Sequence, residues 1–173
     1  MKRMGWISIA LLLVSTGANA NTIKYNFSWS GTSGYSMTGY FTYLSASAVD
    51  GAIRDTEVTS LFFEGFLNDV SIGTNSTART LANFNFNFNS TTGQFFLGGT
   101  ASGLTGQNWN PQGTGLGFIA GGTGSTLSLN GPYRGFSNNP SNLTATLAVP
   151  EPGTLALLGI GLLSLGLIRR RAA

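Results

Sequence analysis

Strict alternation of apolar and polar side chains is the feature that most constrains the fold of this chain. Thr22 to Ser30 reads TIKYNFSWS, and Asn83 to Asn89 reads NFNFNFN. Because successive side chains of a β-strand point to opposite faces, each run predicts a strand with its aromatic residues in a core. In the second run, we expect all four asparagines to face outward. Between residues 21 and 148 no segment shows a sustained 3.6-residue period, so we predict a body without long helices.

The NFNFNFN run also begins the clearest predicted hairpin. Ser90 to Gly93 supplies a turn with glycine where a positive φ is expected, and Gln94 to Thr100 is the predicted partner strand. The glycine-rich stretch from Gly98 to Gly124 is either a long surface loop or a set of weak strands with bulges. Further strands are predicted at residues 35–44, 57–67, 114–120, 125–129 and 142–148. The sequence therefore predicts an all-β fold, an antiparallel β-sandwich of about eight strands spanning residues 21–148.

Composition narrows the chemistry that this body can perform. The chain contains no histidine and no cysteine, which removes Ser-His-Asp and Cys-His nucleophile systems, histidine-ligated metal sites and disulfides. The whole chain is +3, but residues 21–148 hold four basic and five acidic residues, which gives −1. No basic patch is left to neutralise phosphates, so we expect no nucleic-acid partner. We also predict no cofactor and no metal.

Residues 1–20 have the three parts of a secretory signal peptide. Lys2 and Arg3 precede an apolar run at residues 7–14, and Ala18 and Ala20 supply the small residues of a cleavage site. Cleavage after Ala20 would leave Asn21 at the front. The chain is therefore predicted to be exported.

Residues 153–168 are predicted to form a single transmembrane helix. Sixteen residues at a rise of ~1.5 Å cover roughly 24 Å, somewhat less than a hydrocarbon core of ~30 Å. Pro150 and Pro152 suit the entry to this helix but not its interior. The stop-transfer residues Arg169, Arg170 and Arg171 should stay on the cytoplasmic side, which places the body across the membrane.

The last segment, residues 149–173, resembles a known sorting signal. Val149, Pro150, Glu151 and Pro152, the apolar stretch and the arginine cluster together resemble the PEP-CTERM signal, also called the ice-binding protein C-terminal domain. The resemblance implies that an exosortase-type membrane protease recognises the motif, cuts near it, and passes the protein to the envelope surface or the extracellular polysaccharide matrix. A permanent membrane anchor is the alternative.

Two aromatic positions in the body are candidate carbohydrate contacts. Trp109 lies between Asn108 and Asn110, and Tyr133 lies in the segment GPYRGF. Sugars present apolar faces and hydroxyl rims, which suit an aromatic plane with amide neighbours. The alternative for both is a structural role, with Trp109 folded down to plug one end of the sandwich.

Carboxylates give the body its second function hypothesis. Asp50, Asp55 and Glu57 lie close in sequence, and Glu64 alternates with phenylalanines on a predicted strand. Two carboxylates are what glycoside hydrolysis requires. The first hypothesis is thus an exported, non-enzymatic surface or matrix protein that contacts exopolysaccharide, and the alternative is a secreted, carboxylate-dependent glycoside hydrolase. A charged content of 9% and the lack of a coherent catalytic constellation favour the first.

Overall fold

Strands dominate the part of the chain that the computed structural model describes, which comprises residues 21–110, 113–137 and 142–148. Two short 3-10 helices, Ser45–Ser47 and Ala78–Thr80, interrupt the strands. The strands, in chain order, are β1 (Thr22–Ser30), β2 (Tyr35–Leu44), β3 (Ala52–Arg54), β4 (Val58–Leu67), β5 (Val70–Asn75), β6 (Asn87–Asn89), β7 (Gln94–Phe95), β8 (Gln107–Trp109), β9 (Leu116–Gly121), β10 (Gly124–Leu129), β11 (Tyr133–Ser137) and β12 (Thr144–Leu147). The predicted all-β class is confirmed.

The largest sheet has five antiparallel strands in the order β12-β1-β2-β4-β5. The alternation predicted for β1 is confirmed, because Tyr25, Phe27 and Trp29 are buried while the residues between them are exposed. β2 contributes Met37, Phe41 and Tyr43 to the same core. One face of this sheet is thus aromatic and buried, and the opposite face carries mainly polar side chains together with the aromatic pair Tyr40 and Phe62.

Two further antiparallel sheets lie over the aromatic face. Their strand orders are β11-β10-β9-β8 and β3-β6-β7. The ring centroid of Phe41 lies 4.8 Å from that of Phe88 in the three-stranded sheet, and Trp29 lies 5.5 Å from Phe118 in the four-stranded sheet. The core is therefore closed by two small sheets rather than one, and the described residues contain more strands than the eight predicted.

Polar side chains fix the glycine-rich stretch that separates the two smaller sheets. Asn85 Nδ2 donates to the carbonyl oxygens of Ala101, Gly103 and Gly106, and Asn87 Nδ2 donates to those of Gly103 and Gly106. Asn87 is 1% exposed, so the prediction that all four asparagines of NFNFNFN face outward is wrong. Period-two alternation separates polar from apolar faces, but a polar face can meet a polar loop as well as water.

No helix in the described part of the chain is long and apolar enough to cross a membrane. The predicted signal peptide at residues 1–20 and the predicted transmembrane helix at residues 153–168 lie outside the described residues.

Candidate functional site

The outer face of the five-stranded sheet, on the side away from the core, carries an ordered array of polar side chains. Asn26 of β1 is in register with Tyr40 of β2, and Ser28 is in register with Thr38. On the other side of β1, β12 places Thr146 beside Asn26 and Thr144 beside Ser28. These rows arise because outward positions on antiparallel strands line up when their alternation is in phase.

The small size of these side chains leaves a shallow depression, which we call the hydroxyl trough. It is lined by Asn26, Ser28, Thr38, Tyr40, Thr144 and Thr146. A second depression shares Ser28, Thr38 and Thr144 and continues the trough toward Asn142. The Ser28 and Thr144 hydroxyl oxygens lie 3.2 Å apart and share a hydrogen bond, which ties β12 to the floor. None of the six lining side chains named here is charged.

An aromatic pair bounds the trough on one side. The rings of Tyr40 and Phe62 stack with centroids 5.6 Å apart and planes 25° apart. The ammonium nitrogen of Lys24 lies 4.1 Å from the centroid of the Tyr40 ring, a cation–π contact. Glu64 is half-buried on the same face, in register with Thr38. The floor of the trough is therefore uncharged and one of its walls is apolar. The charged groups of Lys24 and Glu64 lie beside the trough.

The structure places Trp109 in the core, not at the surface. Its side chain is 0% exposed, and its ring lies 5.1 Å from Phe118 and 5.2 Å from Phe27. The prediction of a sugar platform at Trp109 is therefore wrong, and the alternative, a tryptophan that plugs the core, describes the structure. Burying this large ring among other aromatic rings is more favourable in free energy than leaving it exposed to solvent.

The neighbours of Trp109 do not form a sugar site with Tyr133. Asn110 is 8% exposed, and its Nδ2 donates to Thr114 O. Asn108 Oδ1 is buried without a hydrogen-bond partner in the described part of the chain. Tyr133 is half exposed on β11, at the edge of the four-stranded sheet opposite to β8. The four predicted carbohydrate-contact residues are thus not brought together.

The clustered carboxylates bind backbone amides in their own turns. Asp50 accepts from Ala52 N at 2.9 Å, Glu57 accepts from Arg54 N at 2.7 Å, and Asp55 accepts from Thr56 N. Within the described residues, no group of three acidic, histidine or cysteine side chains could hold a metal ion. Asp50 thus holds the turn that leads into β3, and Asp55 and Glu57 hold the turn between β3 and β4.

Sequence reasoning missed the hydroxyl trough because its floor comes from distant parts of the chain. Ser28 and Thr144 are 116 residues apart. Alternation correctly marked Asn26 and Ser28 as outward-facing, but such residues ordinarily form a solvated face. The available signal was the recurrence of serine and threonine at outward positions on three predicted strands.

Comparison with known proteins bears on the end of the chain. Residues 148–171 match the family model of the PEP-CTERM protein-sorting motif. No curated protein and no solved structure matches the chain. The predicted sorting signal is confirmed, and it implies export, transient membrane anchoring and processing by exosortase, a membrane enzyme. The residues predicted for signal cleavage, for the sorting motif (149–152) and for stop-transfer (169–171) lie outside the described residues.

Proposed function

We propose that this chain is a non-enzymatic protein of the cell surface or extracellular matrix, whose hydroxyl trough contacts exopolysaccharide. The observation that carries the proposal is the sorting motif at residues 148–171, because export through it would bring the body outside the cell, within reach of exopolysaccharide. The trough supplies the surface for the contact.

The chemistry of the trough suits a neutral glycan. The hydroxyl groups of Ser28, Thr38 and Thr144 each donate and accept hydrogen bonds, as sugar hydroxyls do. The Tyr40–Phe62 pair adds an apolar wall against which the C–H face of a sugar ring can pack. Because the lining is uncharged, no ion pair is needed for binding, and we expect a neutral chain to bind better than a polyanion.

The non-enzymatic part of the proposal is supported by how the carboxylates are used. Asp50, Asp55 and Glu57 each accept a hydrogen bond from a backbone amide within their own turn. A glycoside hydrolase needs two carboxyl groups facing each other across a cleft, about 5 to 9.5 Å apart. Glu64 stands beside the trough, so it is the residue on which the alternative, a secreted glycoside hydrolase, depends.

The test is a binding assay on the processed protein recovered from its host. Polysaccharide extracted from the same host and neutral dextran serve as the probes. In the Ser28→Arg variant a long cation fills the trough floor, and we expect its affinity to fall at least tenfold. Thr74→Arg is the matched control, because Thr74 is exposed on β5 of the same sheet, outside the trough.

Each outcome of the assay has a definite reading. Equal binding by native protein and Ser28→Arg would overturn the contact at the trough, whereas fractionation of the protein tests surface sorting separately. New reducing ends that disappear in a Glu64→Gln variant would favour the hydrolase over the non-enzymatic protein.

A further inference from the structure

The last strand of the body ends where the sorting motif begins. β12 ends at Leu147, and the next amide, Ala148 N, donates to Lys24 O at 2.9 Å. The match to the sorting motif starts at that same residue 148, and Val149 and Pro150 follow in the sequence. The sheet and the motif are therefore not separated by any linker.

Because the motif follows β12 directly, pairing of β12 with β1 competes with binding of the same segment by a protease. Proteins that bind an extended peptide commonly pair with its backbone as an added strand. Each backbone N–H is a single donor, so an amide that bonds to β1 is not available to a protease. Ala148 N bonds to β1 in this way, and the register of Thr144 to Leu147 with β1 engages alternate amides of β12, so a protease cannot enclose this segment while it stays in the sheet.

β12 is built so that it can leave the sheet. It has four residues and lies at the sheet edge, and within the described part of the chain it pairs with β1 alone, which keeps β2 as its other neighbour. Thr144, Thr146 and Leu147 are exposed, and Ala145, which is half-buried, is the one side chain of β12 that packs against the core cluster. Short edge segments with few buried contacts are the parts of a fold that open first.

The release of β12 has a defined stop. Leu143 is 4% exposed and belongs to the core cluster. Asn142 Nδ2 donates to Ser30 O at 3.0 Å and to Ser137 Oγ at 2.9 Å. Opening that begins at the C-terminal end should therefore halt before Leu143. The five residues that are freed, 144–148, add about 16 Å of extended chain at ~3.3 Å per residue.

We propose that β12 detaches from β1 during processing, and that Thr144 to Ala148 then become part of the segment that the membrane protease binds. The proposal rests on the processing that the sorting motif implies. Detachment of β12 limits the rate of cleavage, and the rest of the body stays folded while it occurs.

The experiment is a pulse-chase of the full chain in its native host, with the cleaved fraction followed by intact mass. One variant carries a six-residue Gly/Ser insertion between Ala148 and Val149, which gives the protease a segment outside the sheet. A second variant, Thr146→Gly, weakens the pairing of β12. Thr74→Gly is the matched control, because Thr74 is an exposed position on β5, the other edge strand of the same sheet.

We expect the insertion and Thr146→Gly each to speed cleavage several-fold, and Thr74→Gly to leave it unchanged. Adding Thr146→Gly to the insertion should give no further increase. Equal rates in the native chain and both variants would overturn strand release while leaving processing intact, and so would an equal acceleration by Thr74→Gly. A native chain that is never cleaved would overturn the processing step itself.

Discussion

The two buried tryptophans of the described core differ in whether the indole N–H has a hydrogen-bond acceptor. Trp29 Nε1 donates to Ser125 Oγ at 2.6 Å, across the core from β1 to β10. Trp109 Nε1 is buried without a hydrogen-bond partner in the described part of the chain. Two buried serines of β10 differ in the same way. Ser125 Oγ accepts the hydrogen bond from Trp29, whereas Ser128 Oγ has no hydrogen-bond partner in the described part of the chain.

This contrast predicts different costs for two similar substitutions. Ser125→Ala leaves the Trp29 N–H buried and unpaired, which should lower the free energy of unfolding by about 1–3 kcal/mol. Ser128→Ala is the matched control, since both residues are 1% exposed, and it should cost clearly less. Urea unfolding monitored by tryptophan fluorescence measures both. Equal losses would show that the Trp29–Ser125 bond contributes little.

Tyr43 predicts an alkaline limit to stability. Burial, with the neighbouring Tyr25 phenol as a lesser cause, raises the pKa of Tyr43 from 10.0 to about 12. The unfolded chain then releases this proton at lower pH than the folded protein does. The stabilisation is therefore complete below pH 10 and is lost as the pH rises from 10 toward 12.

The Tyr43→Phe variant tests this origin of the pH dependence. We expect its unfolding free energy to fall less steeply than that of the native protein over the same interval. Denaturant titrations at several pH values provide the measurement. Parallel curves for the two proteins would assign the alkaline loss to other groups.

At the scale of elements, β1 and β2 were predicted well, but of the strand predicted over the alternating run Asn83–Asn89 only Asn87–Asn89 forms one, and short strands were missed. The predicted first and last residues of β1 and β2 are confirmed. Over nine or ten alternating positions, a shift by one residue would turn the apolar side chains toward solvent, so a single register is favoured. The strand predicted at 94–100 ends at Phe95, since the chain turns there into the glycine-rich stretch. The strands β3, β5, β8 and β11 were missed. β3 and β8 have three residues each, too few to show a period, and β5 and β11 each contain a glycine.

The hydrogen bonds that Asn85 and Asn87 donate to the glycine-rich stretch predict which substitution should loosen it. Asn87→Leu would remove one of the two Nδ2 donors that reach Gly103 O and Gly106 O, leaving that of Asn85, and would remove the Oδ1 that accepts from Arg54. We expect a loss of about 1–3 kcal/mol and faster amide hydrogen exchange across residues 98–106. Asn83→Leu is the control, because Asn83 is exposed at the other end of the NFNFNFN run. Unchanged exchange in Asn87→Leu would show that the loop is held without Asn87, by Asn85 and the backbone.

For the whole molecule, the charge balance sets how the protein should respond to salt. Four basic and five acidic residues are spread over residues 21–148, and the trough lining is uncharged. Binding that depends on ion pairs weakens as salt screens them, with a Debye length of about 10 Å at 0.1 M. We expect the affinity for a neutral glycan to change less than about twofold between 0.05 and 0.5 M NaCl. A steep decline would identify Lys24 or Glu64 as part of the contact.

The two chain ends predict the mass of the mature protein. Cleavage after Ala20 and near Pro150 would give a product that starts at Asn21 and lacks residues 153–173. Intact mass spectrometry of envelope and culture fractions distinguishes this product from a chain that keeps the apolar segment. The retained form would identify a lasting anchor. Replacing Arg169, Arg170 and Arg171 with alanine should impair retention in the membrane during sorting.

The pairing of β1 with β12 has a consequence for the order of events at the membrane. The body starts on β1 and finishes on β12, which lie side by side and run in opposite directions, so its entry and exit points are neighbours. Because the start of β1 and the end of β12 are adjacent, the body can fold while the segments before and after it are both still attached to the membrane. Cutting either one leaves the other where it was. We therefore expect that the predicted removal of the front segment does not depend on the removal of the tail, and that the two can occur in either order.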